Sequence, residues 1–374
     1  AYEITTRLVG SEMCIRDRLY TVICKWERKM RKDIMISAIC ALPLIMLTQN
    51  AYAQTYEKES ESGKVRFQCE LEVPENWNGK EIPKFILESV HFVDSEKTYA
   101  NFVEGKEILE HYNTPASDLY PEENYYVLAD GTNVGIGMEF GVSTEKSAYY
   151  AQIGVTNTEN MEKFTSATES IVNDQDAVQK VKETLENAGY AVENLVFQTS
   201  SLSADILREI ENQYVAEGLL EESKRKPEWT NEDDVCIVYA RQTVSGIPVY
   251  PELSVMAQAL AYDTPESSPV VAVCSTRGIE SLRVYGLYDF QEDGENVPLK
   301  GFDEIAATVE TKYENLLDES TYTVTRAKFY ERAYINEDQQ YTAEPIWYLE
   351  INDNNSQKYV MLVNAETGKE IYLM

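Results

Sequence analysis

Few residues in this chain are suited to chemistry. It has two histidines, His91 and His111. His91 sits in an alternating Val90-His91-Phe92 stretch, and His111 follows a helical-looking Gly105–Glu110 segment. Neither has a second histidine at ligand spacing, so a His-Glu-x-x-His zinc pattern is impossible. A serine nucleophile needs a neighbouring base, and no Gly-x-Ser-x-Gly turn occurs. There is no phosphate loop. Gly135-Ile136-Gly137-Met138-Glu139-Phe140-Gly141 has dinucleotide-loop spacing but lies inside a strand pattern without a following helix, so its glycines read as strand or bulge. Paired carboxylates of the glycosidase kind remain open, because among the 59 acidic residues of 54–374 some will be neighbours by chance. Glu292-Asp293-Gly294-Glu295 and Asp353-Asn354-Asn355 have calcium-binding residue types, but neither follows the twelve-residue loop pattern and both suit exposed turns. No catalytic residue, resident metal or cofactor is expected.

The elements that would position such residues alternate between two periods. Val65, Phe67, Cys69, Leu71 and Val73 alternate with polar residues, which predicts a half-buried strand ended by Pro74. Further strands are expected at 84–93, 125–129, 134–142 and 148–155, with Asp130-Gly131-Thr132-Asn133 as a hairpin turn. A helix capped by Asp174 or Asp176 should bury Ala177, Val178, Val181, Leu185 and Ala188 and stop at Gly189. Ser203 can cap a second helix, with Ile206, Leu207, Ile210, Tyr214 and Val215 as its apolar stripe. Strands follow at 190–198 between the helices, then at 235–243, 252–261, 270–275 and 279–287. Phe302, Ile305, Ala306, Val309, Tyr313, Leu316 and Leu317 mark a last helix, followed by strands at 322–334, 345–351, 358–364 and 370–373. The expected class is α+β: antiparallel sheets each packed by one or two helices, with a β-rich N-terminal domain. The expected divisions are 54–170, 171–295 and 296–374.

The front of the chain is expected to be an export signal. Arg31 and Lys32 supply charge, residues 34–47 are apolar apart from Ser37, and Ala51-Tyr52-Ala53 offers small side chains to a signal peptidase. The apolar run is shorter than the roughly 20 residues that a spanning helix needs. A signal peptide over 30–53, cleaved after Ala53, is therefore expected, with no membrane insertion afterwards. No cysteine is placed for lipid attachment. Residues 8–18 resemble the translation of a sequencing adapter, so 1–29 are expected to be artefact. Residues 54–374 hold 59 acidic and 25 basic residues. Such a charge repels nucleic-acid phosphates and anionic headgroups and attracts basic proteins, peptides or cations. Cys69, Cys236 and Cys274 lack metal-type spacing. Buried free thiols are the simpler reading, and a Cys236–Cys274 bridge between neighbouring strands is the other.

Two stretches resemble known families. The helix from Phe302, then Glu344-Pro345-Ile346-Trp347-Tyr348-Leu349, then Val363-Asn364-Ala365-Glu366-Thr367-Gly368-Lys369-Glu370-Ile371 are similar to the PepSY domain, a helix-plus-antiparallel-sheet module of secreted bacterial proteins. Asn364 stands where that family usually has Asp. Thr367-Gly368 makes a tight turn in which glycine can take positive φ. Trp347 and Tyr348 point to opposite strand faces, so only one is expected in a core. Upstream, Tyr239-Ala240-Arg241-Gln242-Thr243-Val244-Ser245-Gly246-Ile247-Pro248-Val249 resembles the strand–turn–strand of thermolysin- and fungalysin-type metalloprotease propeptides, and the order of parts also resembles YycH/YycI-type regulators. Gln242, Gly246, Pro248, Trp347, Thr367 and Gly368 are the motif residues carried over as binding candidates. The resemblance implies an exported, non-enzymatic protein that binds an extracytoplasmic protein or peptide, as a protease inhibitor or as a regulator of a sensor kinase. A carboxylate-based secreted hydrolase within 54–170 is the enzymatic alternative.

Overall fold

Strands make up 43% of the described residues and helices 22%, in sixteen strands and few helices. The expected α+β class is thereby corrected: the protein is mostly β. The computed structural model describes residues 54–372 apart from 76, 118–120, 159, 161–169, 251–261, 337 and 339. The adapter-like stretch, the signal segment at 30–53 and the strand expected at 252–261 lie outside the described residues.

A five-stranded sheet runs β1-β2-β14-β15-β16. Its strands are Gln54–Glu59 (β1), Val65–Glu72 (β2), Tyr322–Ile335 (β14), Tyr341–Asp353 (β15) and Lys358–Asn364 (β16). β2 lies parallel to β14, with Phe67 opposite Val324, so the front of the chain completes the sheet formed at its end. The helix Phe302–Glu314 (α5) covers one face with Ile305, Ala306, Val309 and Tyr313, against Phe67, Cys69, Val324, Phe329, Trp347 and Val363. A ribbon of Glu81–Val90 (β3) and Tyr288–Pro298 (β13) packs beside it through Ile82 and Phe85. The opposite face is also covered, by Tyr250 against Tyr330, Ile346, Tyr348 and Leu362. Trp347 and Tyr348 are therefore both buried, at 2% and 0% exposure, in separate clusters. The expectation that only one could be core assumed a sheet with one wet face.

The nine-stranded sheet has the path β10-β9-β11-β12-β7-β6-β5-β4, with β8 also on β9. These are Ile108–Thr114 (β4), Glu123–Leu128 (β5), Thr132–Ile136 (β6), Phe140–Thr144 (β7), Leu195–Leu202 (β8), Val235–Val244 (β9), Ile247–Pro248 (β10), Val270–Ser275 (β11) and Gly278–Val284 (β12). The helix Asp174–Asn187 (α3) lays Ala177, Val181 and Leu185 on one face. The helix Ala204–Ala216 (α4) packs Leu207 and Ile210 on the other, against Val235, Ile237, Tyr239 and Val271. Buried on both faces, β11 and the first six residues of β9 have no exposed position, which explains their near-continuous apolar runs.

Local expectations fail where an apolar run suited two periods. Ser147–Gln152 is a short helix (α2) rather than a strand, with Tyr150 and Ile153 buried three apart. The strand expected over 134–142 is two strands, β6 and β7, joined by a hairpin. The helical-looking 105–110 segment instead leads into β4, and a separate helix, Ser95–Phe102 (α1), precedes it. The α3 cap is Asn173, whose side chain accepts from Asp176 N at 3.1 Å, while Asp174 accepts from the hydroxyls of Thr199 and Ser201. At α4, Asp234 accepts from Ala204 N at 2.7 Å, the role expected of Ser203.

Candidate functional site

The sequence-derived candidates fall into two groups, each built into the frame. Gln242 lies on β9 and turns its amide to β13: Nε2 donates to Tyr288 O at 2.7 Å and Oε1 accepts from Tyr288 N at 2.9 Å. The side chain thus pairs with a strand backbone as another strand would. Ser245 and Gly246 have φ of 47° and 81°, so this two-residue turn uses left-handed backbone at both positions, which Gly246 takes without steric cost. Pro248 pairs with Thr243 across it.

Trp347 packs edge-on to Trp77, Phe302 and Phe329. Thr367 and Gly368 form a turn held by Asn364, whose Oδ1 accepts from Glu366 N, Thr367 N and the Thr367 hydroxyl. Asn364 Nδ2 donates to Glu344 Oε2 at 2.7 Å, and Arg332 Nη1 meets Glu344 Oε1 at 2.7 Å. An aspartate at 364 would set a carboxylate against Glu344, which gives Asn364 a local physical reason. All six candidates are accounted for by packing, turns and strand pairing.

One cluster of buried acidic groups is tied up in ion pairs. Where the two large sheets meet, Asp263 has 2% of its side chain exposed and takes Arg241 on Oδ1, and Arg326 (2.6 Å) and Lys328 (3.3 Å) on Oδ2. Arg326 also pairs with Glu72 at 2.5 Å and Glu350 at 3.4 Å. Arg241 donates to Thr264 O and Ser268 Oγ, and Tyr348 OH accepts from Asp263 N. An open groove of 550 Å³ borders this junction, lined by Glu57, Glu70, Glu72, Arg326 and Glu350 among others. Burial alone would raise the Glu72 carboxyl, but the Arg326 hydrogen bond and the charges of Arg326, Lys328 and Arg241 outweigh it and hold it below the ordinary value. That is the wrong direction for a general acid, which must keep its proton at neutral pH.

The remaining expectations resolve in the same way. His91 Nδ1 lies 2.7 Å from Asp289 Oδ1, and His111 stacks on Tyr126 with ring centres 4.4 Å apart. Glu292–Glu295 belongs to a bulged part of β13, where Asp293 and Glu295 meet Lys84. Asp353 Oδ1 accepts from Asn355 N and Gln357 N in the β15–β16 turn. Cys236 and Cys274 sit opposite each other on β9 and β11 as buried free thiols. Burial pushes Cys69 up to about 11 and Cys274 to about 12, which suppresses thiolate chemistry at neutral pH.

One edge strand stands apart from this engaged frame. β4 pairs with β5 on one side, and among the described residues nothing pairs with its other side. All seven of its residues are exposed. Leu109 is 61% exposed, Tyr112 58% and, on β5, Tyr125 42%. Strand edges present unpaired N–H and C=O groups to any chain that can align with them. The sequence reading missed this strand because Gly105–Glu110 suited a helix. The available signal was the β-favouring His111-Tyr112-Asn113-Thr114 run stopped by Pro115.

No family model matches the chain, and no curated protein matches it. Among solved structures, it is similar to an uncharacterized protein from Eubacterium rectale, with a TM-score of 0.58 and 13% identity over 83% of this chain and 91% of that one. The two share a fold. The C-terminal domain of Bacillus megaterium YpeB also matches, with a TM-score of 0.29 and 12% identity over 74% of this chain and 92% of that one. A likeness that slight carries no conclusion. Among the described residues, no helix is long and apolar enough to cross a membrane.

Proposed function

We propose that this is an exported, non-catalytic protein that holds an extracytoplasmic protein or peptide partner by strand addition at β4. The observation that carries this reading is the seven-residue edge strand that is exposed throughout and bears Leu109 and Tyr112 outward. An added strand gains main-chain hydrogen bonds along the edge, and exposed side chains on alternate positions supply selectivity. The PepSY-like reading of α5 and β14–β16 and the propeptide-like reading of β9–β10 belong to the same proposal, since such modules serve as inhibitors or regulators. In it, the segment 30–53 directs export.

The test passes the extracytoplasmic fraction over immobilised wild-type protein and over a Leu109→Ser/Tyr112→Ser double variant, which removes the exposed apolar and aromatic groups without changing the charge of the edge. The expected result is a protein retained by the wild type and reduced at least tenfold on the variant. Identical retained sets on both would end the proposal.

A further inference from the structure

The side chains around β4 narrow the kind of segment it would accept; this inference rests on the peptide-binding reading above. Cross-strand partners share a face of the sheet, and the register places Tyr112 opposite Tyr125, Glu110 opposite Val127 and Thr114 opposite Glu123. One face of the edge therefore carries two tyrosines flanked by Glu110 and Glu123. The tyrosine rings are 6.3 Å apart and tilted by 41°. Tyr112 OH donates to Glu110 Oε2 at 2.5 Å, which fixes that carboxylate beside the aromatic pair. A cation lying over the two rings would gain cation–π attraction from both and Coulomb attraction from a carboxylate at each end.

The surroundings have the same sign. Glu104, Glu107, Glu122 and Glu123 are exposed beside the strand. Lys106, the one lysine or arginine between 104 and 125, is paired with Asp130 at 3.3 Å, and His111 on β4 itself is stacked on Tyr126. A second copy of this chain is a poor occupant, because pairing β4 with β4 would bring two such acidic surrounds together, and like charges across a strand pair are destabilising. The acids thus guard the edge against self-association, a recurring way of protecting edge strands, while leaving it open to a chain of opposite charge.

We infer that β4 receives an extended basic segment of a partner protein, with arginine or lysine at alternate positions lying over Tyr112 and Tyr125 between Glu110 and Glu123. A seven-residue strand spans roughly 23 Å, enough for three or four such alternate positions.

The probe is a fluorescent ten-residue peptide of alternating Arg and Val, followed by anisotropy on the whole protein. Two controls accompany it: the same peptide with Glu for Arg, and one with Pro for Val. The Pro peptide keeps the charge but loses half of its backbone N–H groups and has φ fixed near −65° at every second residue, which disfavours a ladder strand. The Arg peptide is expected to bind at least tenfold more tightly than either control and to slow hydrogen exchange at residues 108–114. A Glu110→Lys/Glu123→Lys variant should bind the Arg peptide at least tenfold more weakly and gain affinity for the Glu peptide. Equal binding of the Arg and Pro peptides, undiminished binding by the charge-reversed variant, or β4-dependent dimers in sedimentation would each overturn the inference. If the retained partner of the preceding test is lost in Leu109→Ser/Tyr112→Ser yet unaffected by charge reversal, the peptide-binding reading survives and the basic-segment inference fails. If neither variant changes retention, the reading itself fails.

Discussion

Around Asp263, three cations and three carboxylates from both large sheets and the loop that bears Asp263 are packed into one junction: Arg241, Arg326 and Lys328 against Asp263, Glu72 and Glu350. Along β4, seven consecutive residues are exposed and one side of the backbone has no partner among the described residues. The first region answers charge with charge because desolvation would otherwise be prohibitive. The second leaves its polar groups to water, which costs nothing until a better partner arrives. The buried charges of this junction are thus part of its assembly, and the recognition proposed for β4 uses a place where burial has not happened. The contrast predicts that substitutions at the junction change stability and not binding, and that the reverse holds at the edge.

The largest effect is expected from Asp263→Ala. Removing the shared acceptor leaves Arg241, Arg326 and Lys328 facing one another with only Glu72 and Glu350 to compensate, and breaking a buried pair in this way costs about 3–5 kcal/mol. Urea denaturation should show a matching fall in midpoint. A change below about 1 kcal/mol would mean that the junction is wet, and the contrast with β4 would collapse.

Asn364→Asp comes next. The amide that donates to Glu344 at 2.7 Å would become a carboxylate, while the three bonds accepted by Oδ1 could persist. The loss should be about 1–3 kcal/mol at neutral pH, and smaller near pH 4, where one carboxyl can take a proton and donate it to the other. Denaturation midpoints at the two pH values measure this, and an equal loss at both would show that repulsion is not the cause.

Glu331→Gln should act in the opposite direction. Glu331 is 2% exposed with no hydrogen-bond partner for Oε2, and burial, aided by the charge of Glu344, holds its carboxyl well above the ordinary value. From about pH 4.3 up to the folded-state value, the native protein keeps a proton that the unfolded chain has shed, so stability falls as pH rises through that window. Glutamine does not ionise, so the variant lacks this slope. Its gain, of order 1–2 kcal/mol, should widen with pH. A difference in melting temperature that stays constant between pH 4 and 8 would contradict a protonated Glu331.

Parts of this fold were legible in the sequence where one period dominates over a long stretch. α3 packs its expected stripe, and β11 and β16 have the expected bounds, because each sits between clear turn or cap residues; α5 buries Ile305, Ala306, Val309 and Tyr313 as expected but ends at Glu314, leaving Leu316 and Leu317 exposed. Pairing was not legible. Nothing local in Val65–Glu72 announces a parallel partner some 250 residues later, and the alternation that predicts a strand is silent about its neighbour. The junction was invisible for the same reason: residues 72, 241, 263, 326, 328 and 350 become a cluster only when the sheets meet. β4 was missed through a local ambiguity, and its importance depends on being last in a sheet order that only long-range contacts decide.

The smallest effect on stability is expected where the largest effect on binding is proposed. Leu109→Ser/Tyr112→Ser replaces side chains that are 61% and 58% exposed, one of them at a register irregularity between Ile108 and Glu110. Substitutions at such surface positions usually change stability by no more than about 0.5 kcal/mol. Tyr112 does give up its ring contact with Tyr125 and its bond to Glu110, so the change should lie on the destabilising side of that range. Urea midpoints and far-UV circular dichroism should be nearly those of the wild type, while retention of the partner falls at least tenfold. A loss above about 2 kcal/mol would place β4 inside the folded assembly and not at its margin, since costs of that size come from buried features. The edge would then be one more answered part of the structure, and the contrast with the Asp263 junction would be lost.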